Sequence, residues 1–260
     1  MILAIDVGNT NIVLGGIRDD RLVFSARLAS DTRKTAEEYA LTIGGVLAMY
    51  HVEPGDIEGG ILSSVVPYLR TVIPEAMRLL TDADFLVVGT GIKTGLNILM
   101  DDPATVGSDL IVCAVAARAK YAAPIAIIDM GTATTVSVVD EKGCYIGGMI
   151  IPGVWVSLNS LSDHAAQLPH INLTGPVDLL GKNTIDCMRA GSVIGCAAML
   201  DGVLERLEEQ LGKPVSAVLT GGLSPLIAPY CRHELHLEPD LLIAGLQTLY
   251  EKNQKKKASP

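Results

Sequence analysis

The sequence predicts an α/β protein built from two matching lobes. Three observations lead there. Apolar residues make up 49% of the chain and aromatics only 4%, so the interior must be assembled from Ile, Val, Leu and Ala. Short apolar runs bounded by turn signals alternate with stretches of helical spacing. One strand-turn-strand motif occurs twice, and internal duplication is the strongest statement a sequence makes about architecture. A chain of 260 residues has room for one large domain or for two of about 120 to 130 residues each; the duplication selects two, 1–121 and 122–260, with a boundary near 122–124.

In the first half, 2–6 reads as a buried strand, 12–17 as a second and 21–29 as a third. Arg18-Asp19-Asp20 supplies the turn between the last two. A helix follows, opened by Ser30-Asp31-Thr32 and Thr35 ahead of Ala36-Glu37-Glu38. Tyr39, Ile43, Val46, Leu47 and Tyr50 continue it at helical spacing. Next come a strand over 60–64, a helix over 67–80, a short strand over 85–88 and a helix over 107–120, giving the order βββαβαβα. The second half restarts the pattern with strands over 125–129, 134–139 and 144–151, the last two joined by the turn Asp140-Glu141-Lys142-Gly143. Residues 183–211 read as one or two helices, 215–220 as a strand ending in Gly221-Gly222, and 240–251 as a closing helix. Residues 154–182, with Pro169, Pro176 and several Ser and Asn, read as irregular: a loop over a site or an intersubunit contact.

Composition excludes several function classes. The formal charge of −9 argues against a nucleic-acid groove, which concentrates Lys and Arg against phosphates. The basic run 252–257 reads as a solvated tail. Apolar runs such as 125–128 fall short of a membrane span, and the start Met1-Ile2-Leu3-Ala4-Ile5-Asp6 lacks the features of a signal peptide, so the expected location is the cytoplasm. Five cysteines, Cys113, Cys144, Cys187, Cys196 and Cys231, are widely spaced and odd in number, which fits buried thiols better than disulfides or zinc. His51, His164, His170, His233 and His236 show no metal-ligand spacing, and Trp155 reads as a packing or dimer-contact residue.

The chemistry sits in the duplicated motif. Ile5-Asp6-Val7-Gly8-Asn9-Thr10-Asn11 aligns with Ile128-Asp129-Met130-Gly131-Thr132-Ala133-Thr134. A strand ending in Asp-x-Gly-x-Thr puts a carboxylate beside a tight turn whose glycine lets backbone amides approach a ligand, the makings of a phosphate site. Gly8, Asn9, Thr10 and Asn11 are candidate phosphate donors and Asp6 a candidate holder of hydrated Mg2+. A single such motif is more often an ordinary turn; two copies at matching places favour a nucleotide clamped between the lobes. Asp109, in Gly107-Ser108-Asp109, suits either a general base or the start of a helix. Asn183-Thr184 reads as an N-cap pair on its residues alone.

These motifs resemble, in order and nearly from end to end, the type III pantothenate kinases of the acetate and sugar kinase, actin and chaperone ATPase superfamily. Asp6-Val7-Gly8-Asn9-Thr10-Asn11 is similar to the family's first phosphate motif, Gly107-Ser108-Asp109 with Ala114-Val115-Ala116-Ala117 to its substrate helix, and Asp129-Met130-Gly131-Thr132-Ala133-Thr134-Thr135 to its second phosphate motif. Gly147-Gly148-Met149-Ile150-Ile151-Pro152-Gly153, Asn183-Thr184 with Gly191 and Gly195, and Thr220-Gly221-Gly222 complete the series.

The resemblance implies duplicated actin-like, ribonuclease H-like lobes, each a mixed five-stranded sheet flanked by helices. It implies transfer of the γ-phosphoryl group of ATP to pantothenate by a homodimer, with Asp109 as general base. Asp6, Val7, Gly8, Asn9, Thr10, Asn11 and Thr132 would serve ATP and its Mg2+. Gly107, Ser108, Asp109, Leu110 and Thr184 would meet pantothenate, and Asp129 a monovalent cation, K+ or NH4+. Two positions depart from the family pattern: Leu110 stands where an arginine is usual and Met100 where a tyrosine is usual. A different hydroxylated substrate, another partner for the carboxylate of pantothenate, or a nucleotide-binding regulator each fits those departures.

Overall fold

The computed structural model describes residues 1–254; half of the basic run 252–257 lies outside them. Two sheets carry the fold. The first has five strands: β1 (Ile2–Val7), β2 (Asn11–Arg18), β3 (Arg21–Ala29), β4 (Gly59–Ser64) and β5 (Phe85–Val87), in the order β3-β2-β1-β4-β5. β1 runs antiparallel to β2 and parallel to β4, the mixed pattern expected. Helices α1 (Ala36–Met49) and α2 (Leu69–Leu80) bury Tyr39, Ile43, Leu47, Ile73 and Met77 in one core with Leu3, Ile5, Ile12 and Leu14. Thr35 opens α1 with a reciprocal capping box to Glu38, satisfying amides that a helix start leaves without partners.

The second sheet repeats this plan and adds an edge. Its strands are β6 (Asn97–Ile98), β7 (Ile125–Met130), β8 (Ala133–Val139), β9 (Cys144–Pro152), β10 (Ser216–Thr220) and β11 (His236–Leu237). Their order is β11-β10-β7-β8-β9-β6, so β9-β8-β7-β10-β11 matches the first sheet strand for strand. Five strands were expected here and six are found. The extra one, β6, comes from the segment ahead of helix α3 (Ser108–Lys120) and pairs with Cys144 and Tyr145 on the open edge of β9.

Residues 154–182, expected to be irregular, begin with a helix, α4 (Val154–His164), which buries Val154 and Leu158. The reading of 183–211 as one or two helices resolves to one, α5 (Thr184–Leu211), of 28 residues. By length and composition α5 qualifies as a membrane span, yet Val193, Ala197, Leu200 and Leu204 on it build the core of the second sheet. A short helix α6 (Ser224–Ile227) and the closing helix α7 (Leu241–Gln254) complete the chain. None of the cysteines is in a disulfide; Cys113 and Cys196 are buried, while Cys187 is exposed, unlike the buried thiol expected.

The compact units interleave in sequence. One comprises Met1–Gly95, Ala104–Ala116 and the chain from Leu241; the other comprises Leu96–Pro103 and Ala117–Asp240. The sequence division at 121 placed α7 with the second half, whereas α7 lies on the first sheet. Ile243 presses on Gly15 and Tyr250 on Gly59, each so close that a Cβ on the glycine would overlap the side chain. Side chains seated over these glycines bury strand surface that would otherwise face water.

Candidate active site

In the first unit, Asp6 is the fifth residue of β1 and is buried, 7% exposed. The chain then turns at Gly8, whose amide donates to the Asn11 carbonyl at 2.9 Å. The Gly8 amide, expected among the phosphate donors, is thus engaged inside the turn; Asn9, Thr10 and Asn11 are the exposed positions of the loop. Ser30, just past β3, closes the turn from outside, its amide donating to Thr10 O at 2.9 Å and its hydroxyl to Gly8 O at 2.6 Å.

The same end of this sheet receives α3. Asp6 pairs in register with Ser63 of the parallel neighbour β4, and Ser63 Oγ lies 3.0 Å from Ser108 Oγ, in the first residue of α3. Asp109 follows directly, with its Oδ1 accepting the Leu110 amide at 2.9 Å. Two carboxylates more than a hundred positions apart in sequence therefore occupy one end of a β-sheet, at the C-terminal ends of its parallel strands, where open α/β sheets bind ligands. Burial pushes the Asp109 carboxyl above its ordinary value; the amides of Leu110 and of Asp109 itself oppose this to a lesser degree. A raised carboxyl is a better proton acceptor once ionised, the property a general base requires.

In the second unit, Asp129 of β7 stands in register with Thr135 of β8 and Thr220 of β10. Gly131 donates its amide to Ala133 O at 3.1 Å, and Gly153 donates to Thr132 O at 3.1 Å. Gly153 must be glycine, since a Cβ there would stand 2.2 Å from Thr132 O. Gly221, at φ +91°, likewise leaves room for Asp129, as a Cβ would fall 2.5 Å from Asp129 Oδ1. In the sequence Gly153 and Gly221 are only members of motifs; their close approaches to the acidic turn appear in the structure alone. Thr184 opens α5 and is exposed, but Asn183 is the residue that caps the helix, its side chain accepting from the Asp186 amide at 3.0 Å.

The residues fit the cations that the phosphate motifs imply. Mg2+ keeps several waters and is commonly held by one or two carboxylates together with substrate phosphates, and Asp6 beside a polar turn offers that arrangement. No cluster of three or more His, Cys, Asp or Glu residues suited to a metal occurs among the described residues.

Doubled sheets of this order, each with an acidic turn after its first strand, define the actin-like phosphotransferase fold. Solved structures agree on the fold. Component A of (R)-2-hydroxyglutaryl-CoA dehydratase from Acidaminococcus fermentans matches with a TM-score of 0.56 at 16% identity, covering 99% of both chains. The activator of 2-hydroxyisocaproyl-CoA dehydratase from Clostridium difficile, solved with ADPNP bound, matches with a TM-score of 0.54 at 13% identity, covering 100% of this chain and 98% of that one. Within this class the chain belongs to the type III pantothenate kinase family, whose model matches residues 2–206. Type III pantothenate kinases from an Exiguobacterium strain and from Moorella thermoacetica are 42% and 41% identical to it, over 98% and 97% of this chain and 100% of each relative.

Proposed function

We propose that this chain transfers the γ-phosphoryl group of ATP to pantothenate, giving 4'-phosphopantothenate, the first step of coenzyme A biosynthesis. The observation that carries this reading is the end-to-end family match, combined with Asp109 held at the same sheet end as Asp6. Phosphoryl transfer asks little covalent chemistry of a protein; it needs positioned phosphates, a metal and an oriented alcohol. Asp6 holds hydrated Mg2+, while Val7, Gly8, Asn9, Thr10 and Asn11 shape and line the phosphate turn. Thr132 serves ATP from the second hairpin, and Asp129 beside it takes a monovalent cation, K+ or NH4+. Asp109 accepts the proton of the pantothenate hydroxyl as that oxygen attacks phosphorus.

Gly107, Ser108, Leu110 and Thr184 line the alcohol's site in this proposal. Leu110 brings no charge where a guanidinium would pair with the carboxylate of pantothenate, so Thr184, at the amide-rich start of α5, is the proposed contact. Large apolar side chains exposed in the second unit, Ile150, Trp155, Leu179 and Leu180, support a homodimer, since interfaces cover apolar surface. The cytoplasm is the compartment where such an enzyme meets ATP.

The test is ATP consumption by purified protein with pantothenate, Mg2+ and K+, run beside Asp109→Asn. Pantothenate-dependent turnover by the parent, lost in the variant, is expected. A parent that turns over ATP only with a different alcohol would replace the substrate and keep the site, the outcome Leu110 leaves open.

A further inference from the structure

Ser63 is fully buried, at 0% exposure, next to the last residue of β4 and in register with the buried Asp6. A buried hydroxyl costs stability unless it is hydrogen-bonded, and this one is bonded to a single group at the start of α3. Ser63 Oγ and Ser108 Oγ are 3.0 Å apart, and Ser108 Oγ lies 3.3 Å from the carbonyl oxygen of Ser64. A serine hydroxyl has one proton and a carbonyl can only accept. Ser108 therefore donates to Ser64 O and accepts from Ser63, which fixes the direction of the chain. The Ser64 hydroxyl is used in its own turn, accepting from the Val66 amide at 3.2 Å and donating to Val66 O at 3.1 Å. The end of β4 is thereby a firm anchor, and the first residue of α3 is tied to it twice.

We propose that Ser63 is a positioning residue for phosphoryl transfer, acting through Ser108 to hold the first turn of α3, and with it the Asp109 carboxylate, at the sheet end that carries Asp6. This role presupposes that Asp109 is the base. Asp109's bond to the Leu110 amide is local and travels with the helix, so it cannot set where the carboxylate lies relative to β1. The tether from β4 can, because Ser63 is the in-register neighbour of Asp6. Displacing a reacting group by about 1 Å can cost on the order of a hundredfold in rate.

A structural pair and a positioning pair behave differently when both partners are removed. Deleting one hydroxyl leaves the other buried without its bond, whereas replacing both by apolar groups is nearly neutral for stability. The experiment compares Ser63→Ala, Ser108→Ala and the double variant in full-length enzyme, reading the melting temperature, kcat, and KM for ATP and pantothenate. The double variant is expected to melt within about 2 °C of the parent while its kcat falls by about tenfold or more at little-changed KM for ATP. Ser63→Ala alone, which leaves every residue lining the alcohol's site in place, is expected to lower kcat in the same direction.

If the double variant recovers both melting temperature and kcat, the pair is structural and the proposal fails. Should the double variant not fold, Ser63→Cys carries the test: a thiol is a weak donor, and parental kcat in that variant overturns the proposal. Asp109→Asn separates the two assignments. Lost turnover there beside parental kcat in the double variant defeats only the role of Ser63, whereas full turnover in Asp109→Asn defeats the base assignment and this one with it.

Discussion

The two acidic hairpins share a plan and are closed by different means. In the first, Val7 pairs with Ile12, leaving Gly8, Asn9, Thr10 and Asn11 in the turn; in the second, Met130 pairs with Thr134, leaving only Gly131, Thr132 and Ala133. The residue-by-residue alignment of the two motifs thus slips by one after the glycine: by hydrogen bonding, Asn11 corresponds to Ala133, not to Thr134. The longer turn is braced by the side chain and amide of Ser30, the shorter by the Gly153 amide. Asp6 is buried and Asp129 partly exposed. Duplication supplied one scaffold, and a single extra residue made its first copy the more polar, more open turn. The second copy became a tight turn against which glycines pack.

The largest effect should come from the first unit. Asp109→Asn is expected to lower kcat by about 10² to 10⁴-fold, measured as pantothenate-dependent ATP consumption. The same residue sets a pH dependence. Because the folded-state carboxyl is raised by burial, the folded protein binds its proton more tightly than the unfolded chain. Its contribution to stability is full at low pH and is lost as pH rises through the unfolded and then the folded value. Asp109→Asn should therefore melt higher than the parent at neutral pH, with the gap closing on acidification. The parent's kcat/KM should decline on acidification from a higher pH than the ordinary carboxylate value of 3.8 would give.

Next in size, Gly153→Ala forces a Cβ to 2.2 Å from Thr132 O and 2.7 Å from Gly131 O. Backbone atoms cannot swing aside as a side chain can, so a loss of about 1–3 kcal/mol in denaturant unfolding is expected, with a raised KM for ATP. The counterpart at the first hairpin is milder. Ser30→Ala removes the hydroxyl bond to Gly8 O but leaves the amide bond to Thr10 O, a cost of about 0.5–1.5 kcal/mol. Equal losses at the two positions would show that the hairpins are closed alike, and the contrast drawn between them would fall.

Much of the first unit was legible because its signals are local. A period-two strand, a turn of Asp and Gly, and Thr35 three residues ahead of Glu38 each declare themselves within a few positions, and α1 starts one residue after Thr35 as read. Helix α4 was missed for the converse reason. Its sequence, rich in Ser and Asn after Pro152-Gly153, carries weak local preference, and the burial of Val154 and Leu158 makes it helical. The two-residue strands β6 and β11 exist only because β9 and β10 offer them an edge, and no local pattern announces such a strand.

By itself the sequence determined the duplication, the two acidic turns, the helix-opening Asp109 and the family to which they point, since each is written in residues that are neighbours along the chain. Tertiary structure alone decided that α7 closes over the first sheet, that the two turns differ by one residue, and that Ser63 and Ser108 bring Asp109 to the strand end of Asp6. Those facts depend on which distant surfaces exclude water together and which buried hydroxyls find partners. Such pairings between remote segments are selected by the folded whole, and no short window of sequence contains them.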